Sequence, residues 1–262
     1  MTASCAESVP GNPSESGAVR LQVWLAHAGV ASRRNSENLI TGGHVTVNGE
    51  TVTVLGTRVS PGDTVCVDGV PVQPEETLRY ILLNKPSGVV CSLADEKNRS
   101  VAADILRPHF RERLYNVGRL DMFSSGLILF TNDGQFTAKI SHPSAELEKE
   151  YIVETSTPFP DSLMERFMKG IRIDTVFYRC RTAERLSARK MRVILIEGKN
   201  REIRRVFENF DVGIKKLTRI RIGPLSILWP PGSEFEGLPM KEGEFRELEP
   251  EEVRAIQSFK RF

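Results

Sequence analysis

NVGRLDMFSSGLILFTNDG, residues 116–134, decides how this chain is read. Val117 and the run Leu127–Phe130 suit a buried strand pair, and Asn132-Asp133-Gly134 closes the second strand with turn residues. Between the strands stand Arg119 and Asp121, just before a Ser-Ser-Gly turn. Charged side chains are rarely enclosed without a partner or a task. Capping the turn is a common duty for an aspartate and would by itself account for Asp121. The alternative is a functional carboxylate. The rest of the chain has to choose.

On either side, strand and helix patterns mix without a regular βαβ rhythm. YILLNKP reads as a strand and SVAADIL as a short helix; QFTAKIS follows as a helix and EKEYIVE alternates as a strand. PDSLMERFMKG is a helix with Pro160 at its start and Gly170 past its end. RKMRVILIEG is a strand, NREIRRVFENF an amphipathic helix and GIKKLTRIRIG a basic strand. This predicts an α+β fold with a largely antiparallel sheet.

The N-terminal part is a smaller unit. Leu21, Trp24, Leu25 and Ala28 fall on one helical face, and Gly29 suits a stop. Ser32 is placed to cap a second helix that ends at Gly42-Gly43. HVTVNGETVTV then reads as a hairpin on Asn48-Gly49. The predicted division is a disordered tail over 1–17, a module of two helices and a curled sheet over 18–75, a larger domain over 76–232, and an acidic extension over 233–262. The polar stretch 73–80 reads as the linker.

The charge balance is nearly even, at +2 over 262 residues, but it is unevenly spread. Gly198–Arg221 holds eight Lys/Arg against three Asp/Glu, which suits a phosphate-rich partner. The four cysteines, Cys5, Cys66, Cys91 and Cys180, are too scattered for a zinc motif and fit a reducing cytosol. The start lacks the basic and apolar segments of a signal peptide. No run approaches the ~20 apolar residues of a membrane span. The expectation is a cytoplasmic protein with no membrane association.

Taken together, VGRLDMFSSGLILFTNDG, EKEY, EGKNREIRRVFE and LTRIRIGPL resemble, in order and spacing, the bacterial ribosomal-RNA pseudouridine synthases of the RsuA/RluB type. RLQVWLAHAGVASRR…HVTVNG resembles the S4 RNA-binding module that this family carries at its N-terminus. The resemblance spans roughly residues 19–229. It implies an S4 module joined to an α+β catalytic domain, and isomerisation of one ribosomal-RNA uridine without cofactor or metal. It also implies that Asp121 is the catalytic carboxylate. The alternative is a non-catalytic S4-containing RNA-binding or ribosome-assembly protein. The joint presence of Asp121, Tyr151 and Arg204 favours the enzyme.

The reaction breaks the N1–C1′ bond, turns the uracil and rejoins it through C5. No group is lost, so none has to be carried. An ionised carboxylate beside the sugar is required, acting as nucleophile at C1′ or C6, or as base at C2′. Removal from water favours the neutral acid, and a guanidinium within about 4–6 Å favours the anion. Arg204, on the flank of the apolar face Ile203, Val206, Phe207 and Phe210, can extend its stem along the core toward a pocket. The resemblance assigns the carboxylate-pairing residue to this position. Arg119, two residues before Asp121, is read as lying on the same strand face and contacting phosphate or the flipped nucleotide.

Tyr151 offers a ring on which uracil can stack, and Lys149 shares its strand face as a substrate contact. By alternation, Leu217, Arg219 and Arg221 share one face of their strand, with Leu217 as a pocket wall. Arg201, Arg205, Lys215, Lys216, Arg219 and Arg221 are assigned to RNA phosphates, whose attraction offsets the few kcal/mol of nucleotide extrusion. Arg33 and Arg34, at the start of a helix where positive charge is unfavourable, are assigned likewise. The expected partner is ribosomal RNA or an assembly intermediate, 23S before 16S because of KNREIRR, and the expected state is monomeric.

Overall fold

The structure is a computed structural model that describes residues 17–93, 97 and 99–259. The tail predicted over 1–17 lies, apart from Gly17, outside the described residues. The chain divides between Leu78 and Arg79 into two units. The predicted boundary at 75/76 falls slightly early. Arg79 already belongs to the second unit, pairing with Glu112 and Glu247 while its backbone N–H donates to Asn132 Oδ1.

The first unit contains β1 (Val19–Arg20), α1 (Leu21–His27), α2 (Arg33–Thr41), β2 (Val45–Val47), β3 (Glu50–Thr51), β4 (Arg58–Val59), β5 (Val65–Val67) and β6 (Val70–Val72). Ser32 caps α2 as predicted, its Oγ accepting from Asn35 N at 3.2 Å. Asn48 and Gly49 both have positive φ, 52° and 87°, the conformation a two-residue hairpin needs. Leu21, Leu25, Ile40, Val45 and Val59 are among the buried side chains that make its own small core.

The second unit begins with β7 (Tyr80–Lys85), α3 (Ala102–Leu106), β8 (Tyr115–Val117), β9 (Ser125–Thr131), α4 (Gly134–Ser141), β10 (Lys149–Thr155) and α5 (Asp161–Lys169). It continues with β11 (Ile171–Ile173), β12 (Val176–Tyr178), β13 (Thr182–Ser187), β14 (Lys190–Leu195), α6 (Glu202–Glu208), β15 (Ile214–Ile222), β16 (Leu225–Ser226), β17 (Phe245–Glu247) and α7 (Pro250–Gln257). Nine strands form one sheet with the main order β13-β14-β10-β15-β9-β7-β17. Every pairing in it is antiparallel except β15 with β9. The α+β expectation holds.

β9 is apolar throughout because both of its faces are covered. Ile128 and Phe130 join the core beneath α3, α5 and α6, whereas Leu127 and Leu129 join the core beneath α4 and α7. Each such side chain contributes about 1.5–3 kcal/mol by burial. One edge of β9 is shared. Ser125 and Gly126 pair with β15, and Leu129–Thr131 pair with β8. The two neighbours part between these points, and the segment Gly118–Ser124 connects β8 to β9.

The acidic segment 233–262, read from sequence as an extension, is built into the second unit. β17 pairs with β7, and Ile256 of α7 is buried with the α4 core. Its apolar residues are scattered among many glutamates and did not mark it. Among the described residues no helix is long and apolar enough to cross a membrane.

The junction of β9 and β15 tolerates only glycine at position 126. Its φ is +110°, and a Cβ there would lie 2.2 Å from the Arg219 carbonyl oxygen and 2.6 Å from its nitrogen. Gly126→Ala is expected to destabilise the second unit by roughly 3–5 kcal/mol through backbone strain and overpacking. Urea unfolding followed by tryptophan and far-ultraviolet signals checks this; an unchanged midpoint would refute the close approach.

Candidate active site

Gly118, at φ +71°, ends β8 and sends the chain out of the sheet. Arg119 and Asp121 therefore sit in a loop, not on the strand that the sequence suggested, and no strand alternation relates them. Leu120 is buried between them, its N–H donating to Cys91 Sγ at 3.3 Å. Asp121 opens a tight turn that closes with Ser124 N–H donating to the Asp121 carbonyl at 3.0 Å. The aspartate thus begins the turn and also presents its side chain to a cavity of about 640 Å³.

That cavity lies where β8 and β15 part. Asp121 and Ser124 line it, with Lys149 and Tyr151 from β10, Ile203 and Arg204 from α6, and Leu217, Arg219 and Ile222 from β15. Its size suits one nucleoside-sized ligand. The sequence reading brought Asp121, Arg119, Tyr151, Lys149, Arg204 and Leu217 to one site, and all six line this cavity.

The predicted partnership is present. Arg204 Nε is 3.5 Å from Asp121 Oδ2, with the arginine side chain 13% and the aspartate 33% exposed. Arg204 Nη2 also donates to the Phe123 carbonyl at 2.9 Å and to Ser124 Oγ at 3.1 Å. The guanidinium therefore holds the turn as well as the carboxylate. Burial presses it below its ordinary arginine range, and the charge of Asp121 opposes that pressure.

Lys149 donates to the Leu147 and Ile196 carbonyls, at 3.0 and 3.2 Å. Burial first, and then the charge of Arg219, push its pKa down to about 8, with Glu202 resisting. Tyr151 is buried with its neighbour Val153 in the core on the cavity side. Leu217 is buried in the same core. It is not an apolar residue stranded on a solvated basic strand.

Two arginines of β15 are placed differently from the phosphate role that alternation suggested. The register against β10 slips between Arg219 and Arg221, so that Ile220 is an extra residue. This bulge turns Arg221 away from the Leu217 and Arg219 side. Arg219 is 3% exposed, and its Nε donates to the Leu127 carbonyl at 2.7 Å, in the gap between the two neighbours of β9. Its Nη2 is buried without a hydrogen-bond partner, and the residue lines the cavity. Arg221 instead pairs with Glu150 at 2.7 Å and Glu148 at 3.1 Å.

The remaining basic residues are at the surface. Arg33 and Arg34 are exposed in the first turn of α2, and Lys215 is exposed on β15. Lys216 lies 3.2 Å from Glu242, Arg201 lies 2.9 Å from Glu208, and Arg205 lies 3.8 Å from Asp174. The basic block is thus more neutralised than its composition implied.

Sequence reasoning missed Lys85. It is fully buried at the end of β7, with Nζ donating to the carbonyls of Pro86 at 2.7 Å, Val89 at 2.8 Å and Met122 at 3.3 Å. Met122 is the second residue of the Asp121 turn, and Gly88 N–H also donates to its carbonyl. The signal was there. By period two, Lys85 continues the inward face of Ile81 and Leu83. Glu202 was missed as well. It is buried at the cavity, accepts from Lys199 N–H at 3.1 Å, and is driven toward its neutral form by burial.

Comparisons with known proteins agree with this geometry. A family described as RNA pseudouridylate synthase matches residues 79–209, and the S4 domain family matches residues 19–65. Ribosomal large subunit pseudouridine synthase B of Bacillus subtilis is 38% identical over 91% of this chain and 96% of its own. Dual-specificity RNA pseudouridine synthase RluF of Escherichia coli is 34% identical over 90% of this chain and 77% of its own. A crystal structure described as a pseudouridylate synthase superimposes with a TM-score of 0.62 at 25% identity, over 91% of this chain and 99% of that one. The motif-based resemblance is borne out.

Lys85→Met keeps the bulk, strands the Pro86 and Val89 carbonyl oxygens, and leaves the Met122 carbonyl with Gly88 N–H alone. It is expected to lower stability by roughly 2–4 kcal/mol, since bonds from a charged donor are worth about 1.5–3 kcal/mol each before relaxation. It should also speed hydrogen exchange at Ser124 and Gly88. Exchange mass spectrometry reads this, and unchanged protection at both amides would refute the clamp.

Proposed function

The chain belongs to the RNA pseudouridylate synthase family, and we propose that it converts one uridine of 23S ribosomal RNA, or of an assembly intermediate carrying it, to pseudouridine, with Asp121 as the reacting carboxylate. The observation that carries this reading is the Asp121 carboxylate at a nucleoside-sized cavity, 3.5 Å from Arg204. A relative named for the large ribosomal subunit supports 23S over 16S. Action as a monomer in the cytoplasm belongs to the same proposal.

The uridine has to leave its stack before a side chain can reach its glycosidic bond, at a cost of a few kcal/mol. Arg119, exposed beside the cavity, meets the backbone of the extruded nucleotide. The S4 unit adds phosphate contacts through Arg33 and Arg34, and Lys215 with Lys216 adds them along β15. Within the cavity the uracil stacks against Tyr151, and Leu217 closes the wall. Arg219, buried in the cavity wall, is assigned to base recognition in place of the phosphate contact read from sequence. Lys149 offers a second cation nearby.

Arg204, 3.5 Å from Asp121, keeps a positive charge beside the carboxylate as the substrate excludes water. The carboxylate acts at the sugar–base junction. The freed uracil stays trapped on Tyr151 while it turns to present C5. Since the product is an isomer of the substrate, this chain's own side chains can supply every group the sequence of steps uses.

Asp121→Asn keeps the shape and removes the charge. It is expected to lower pseudouridine formation by about ten-thousand-fold or more, with RNA binding retained. Mapping pseudouridine in rRNA from cells carrying only this variant reads the outcome; a normal modification level would refute the assignment. Replacing Arg33 and Arg34 together by alanine is expected to reduce the slope of log affinity against log salt by about 1.5, two phosphate contacts at ~0.7–0.9 each. Filter binding across a salt series checks it, and an unaltered slope would rule out those contacts.

A further inference from the structure

Phe123 sits two residues after the reacting carboxylate and is 64% exposed, the most exposed aromatic side chain among the described residues. Its backbone is held firmly. The turn closes from Ser124 N–H to the Asp121 carbonyl at 3.0 Å, Gly88 N–H donates to the Met122 carbonyl at 2.8 Å, and Arg204 donates to Phe123's own carbonyl at 2.9 Å. A large apolar ring is thus presented to water on a fixed mount. Arg119, the other exposed residue two positions from Asp121, stands on the opposite side in sequence. A cation suited to phosphate and a ring suited to a base bracket the carboxylate. Neither capping the turn nor pairing with Arg204 requires an aromatic at position 123, because both use its backbone alone.

We propose that Phe123 is a substrate-stacking residue, which packs against the base left exposed when the target uridine leaves the RNA stack. This rests on the synthase reading above. Extrusion strips one stacking face from each flanking base. An apolar side chain inserted at such a step compensates for the lost stacking. Aromatic rings stack on any base, so the contact favours eversion without dictating sequence. The ring has two side-chain torsions and its backbone is already fixed, so little freedom is lost on binding.

The test uses the full chain and two RNAs of one strand, taken from the 23S fragment in which the target uridine maps. One RNA is folded as a stem-loop with the uridine stacked, and the other has its complementary arm changed so that the strand stays single. Single-turnover pseudouridine formation is measured for wild type, Phe123→Ala, Phe123→Leu and Phe123→Trp. On the stacked RNA, Phe123→Ala should be slower by about 5- to 150-fold, the range of one lost base–aromatic stack. Phe123→Trp should restore the rate and Phe123→Leu should fall between. On the single strand, all four should agree within about twofold.

Equal rates for Phe123→Ala and wild type on the stacked RNA would overturn the stacking role. So would an equal loss on both RNAs, which would mean a damaged site. If the wild-type protein makes no product on either RNA, the synthase reading falls and the stacking role falls with it. Product from the wild type alongside a silent Phe123→Ala sinks only the latter.

Discussion

Two buried cations converge on one four-residue turn. Lys85 reaches the Met122 carbonyl, and Arg204 reaches the Phe123 carbonyl, Ser124 Oγ and the Asp121 carboxylate. Neither could be enclosed cheaply without these acceptors, because an unpaired charge in a protein interior is strongly destabilising. The turn in turn has no regular secondary structure to fix it. Cations and turn stabilise each other, and the position of the Asp121 carboxylate follows from that mutual dependence. Their shared effect is positional, holding the Asp121 turn at the cavity.

The sheet explains why such a turn can exist in the middle of a core. β9 is shared along one edge by β15 and β8. Where those neighbours separate, the sheet offers an opening, and Arg219 bonds to the Leu127 carbonyl there. Gly126 permits the close approach on which the β15 junction depends.

Much of this was legible in the chain. The S4-like module could be read from local signals, since Ser32, Gly29 and Asn48-Gly49 act within a few residues of themselves. Asp121, Arg204, Tyr151 and Leu217 could be named because their motifs carry them. What failed was non-local. Alternation along β15 was the right rule, but a one-residue bulge, visible only in the register against β10, reversed it for Arg221. Arg119 was placed on a strand because nothing in its own neighbourhood shows that Gly118 adopts a left-handed conformation. Lys85 was overlooked because a lysine at a strand end reads as solvated until the three carbonyls around it are known. The 233–262 segment looked separate by charge, although a few apolar residues sufficed to add β17 to the sheet edge.

The bulge in β15 has a last consequence. Arg221 leaves the cavity side to sit among Glu148 and Glu150, where Arg181 and Arg192 also pair with these glutamates. With Glu184 also paired to Arg192, three arginines meet three glutamates, and that patch of the sheet is electrically quiet. A polyanion drifting nearby feels little pull from it, whereas Arg119 and Lys215 remain exposed. Field lines gather at the exposed basic residues and guide diffusional encounter. One additional residue in a strand thus helps decide which way round a large charged partner first meets this molecule.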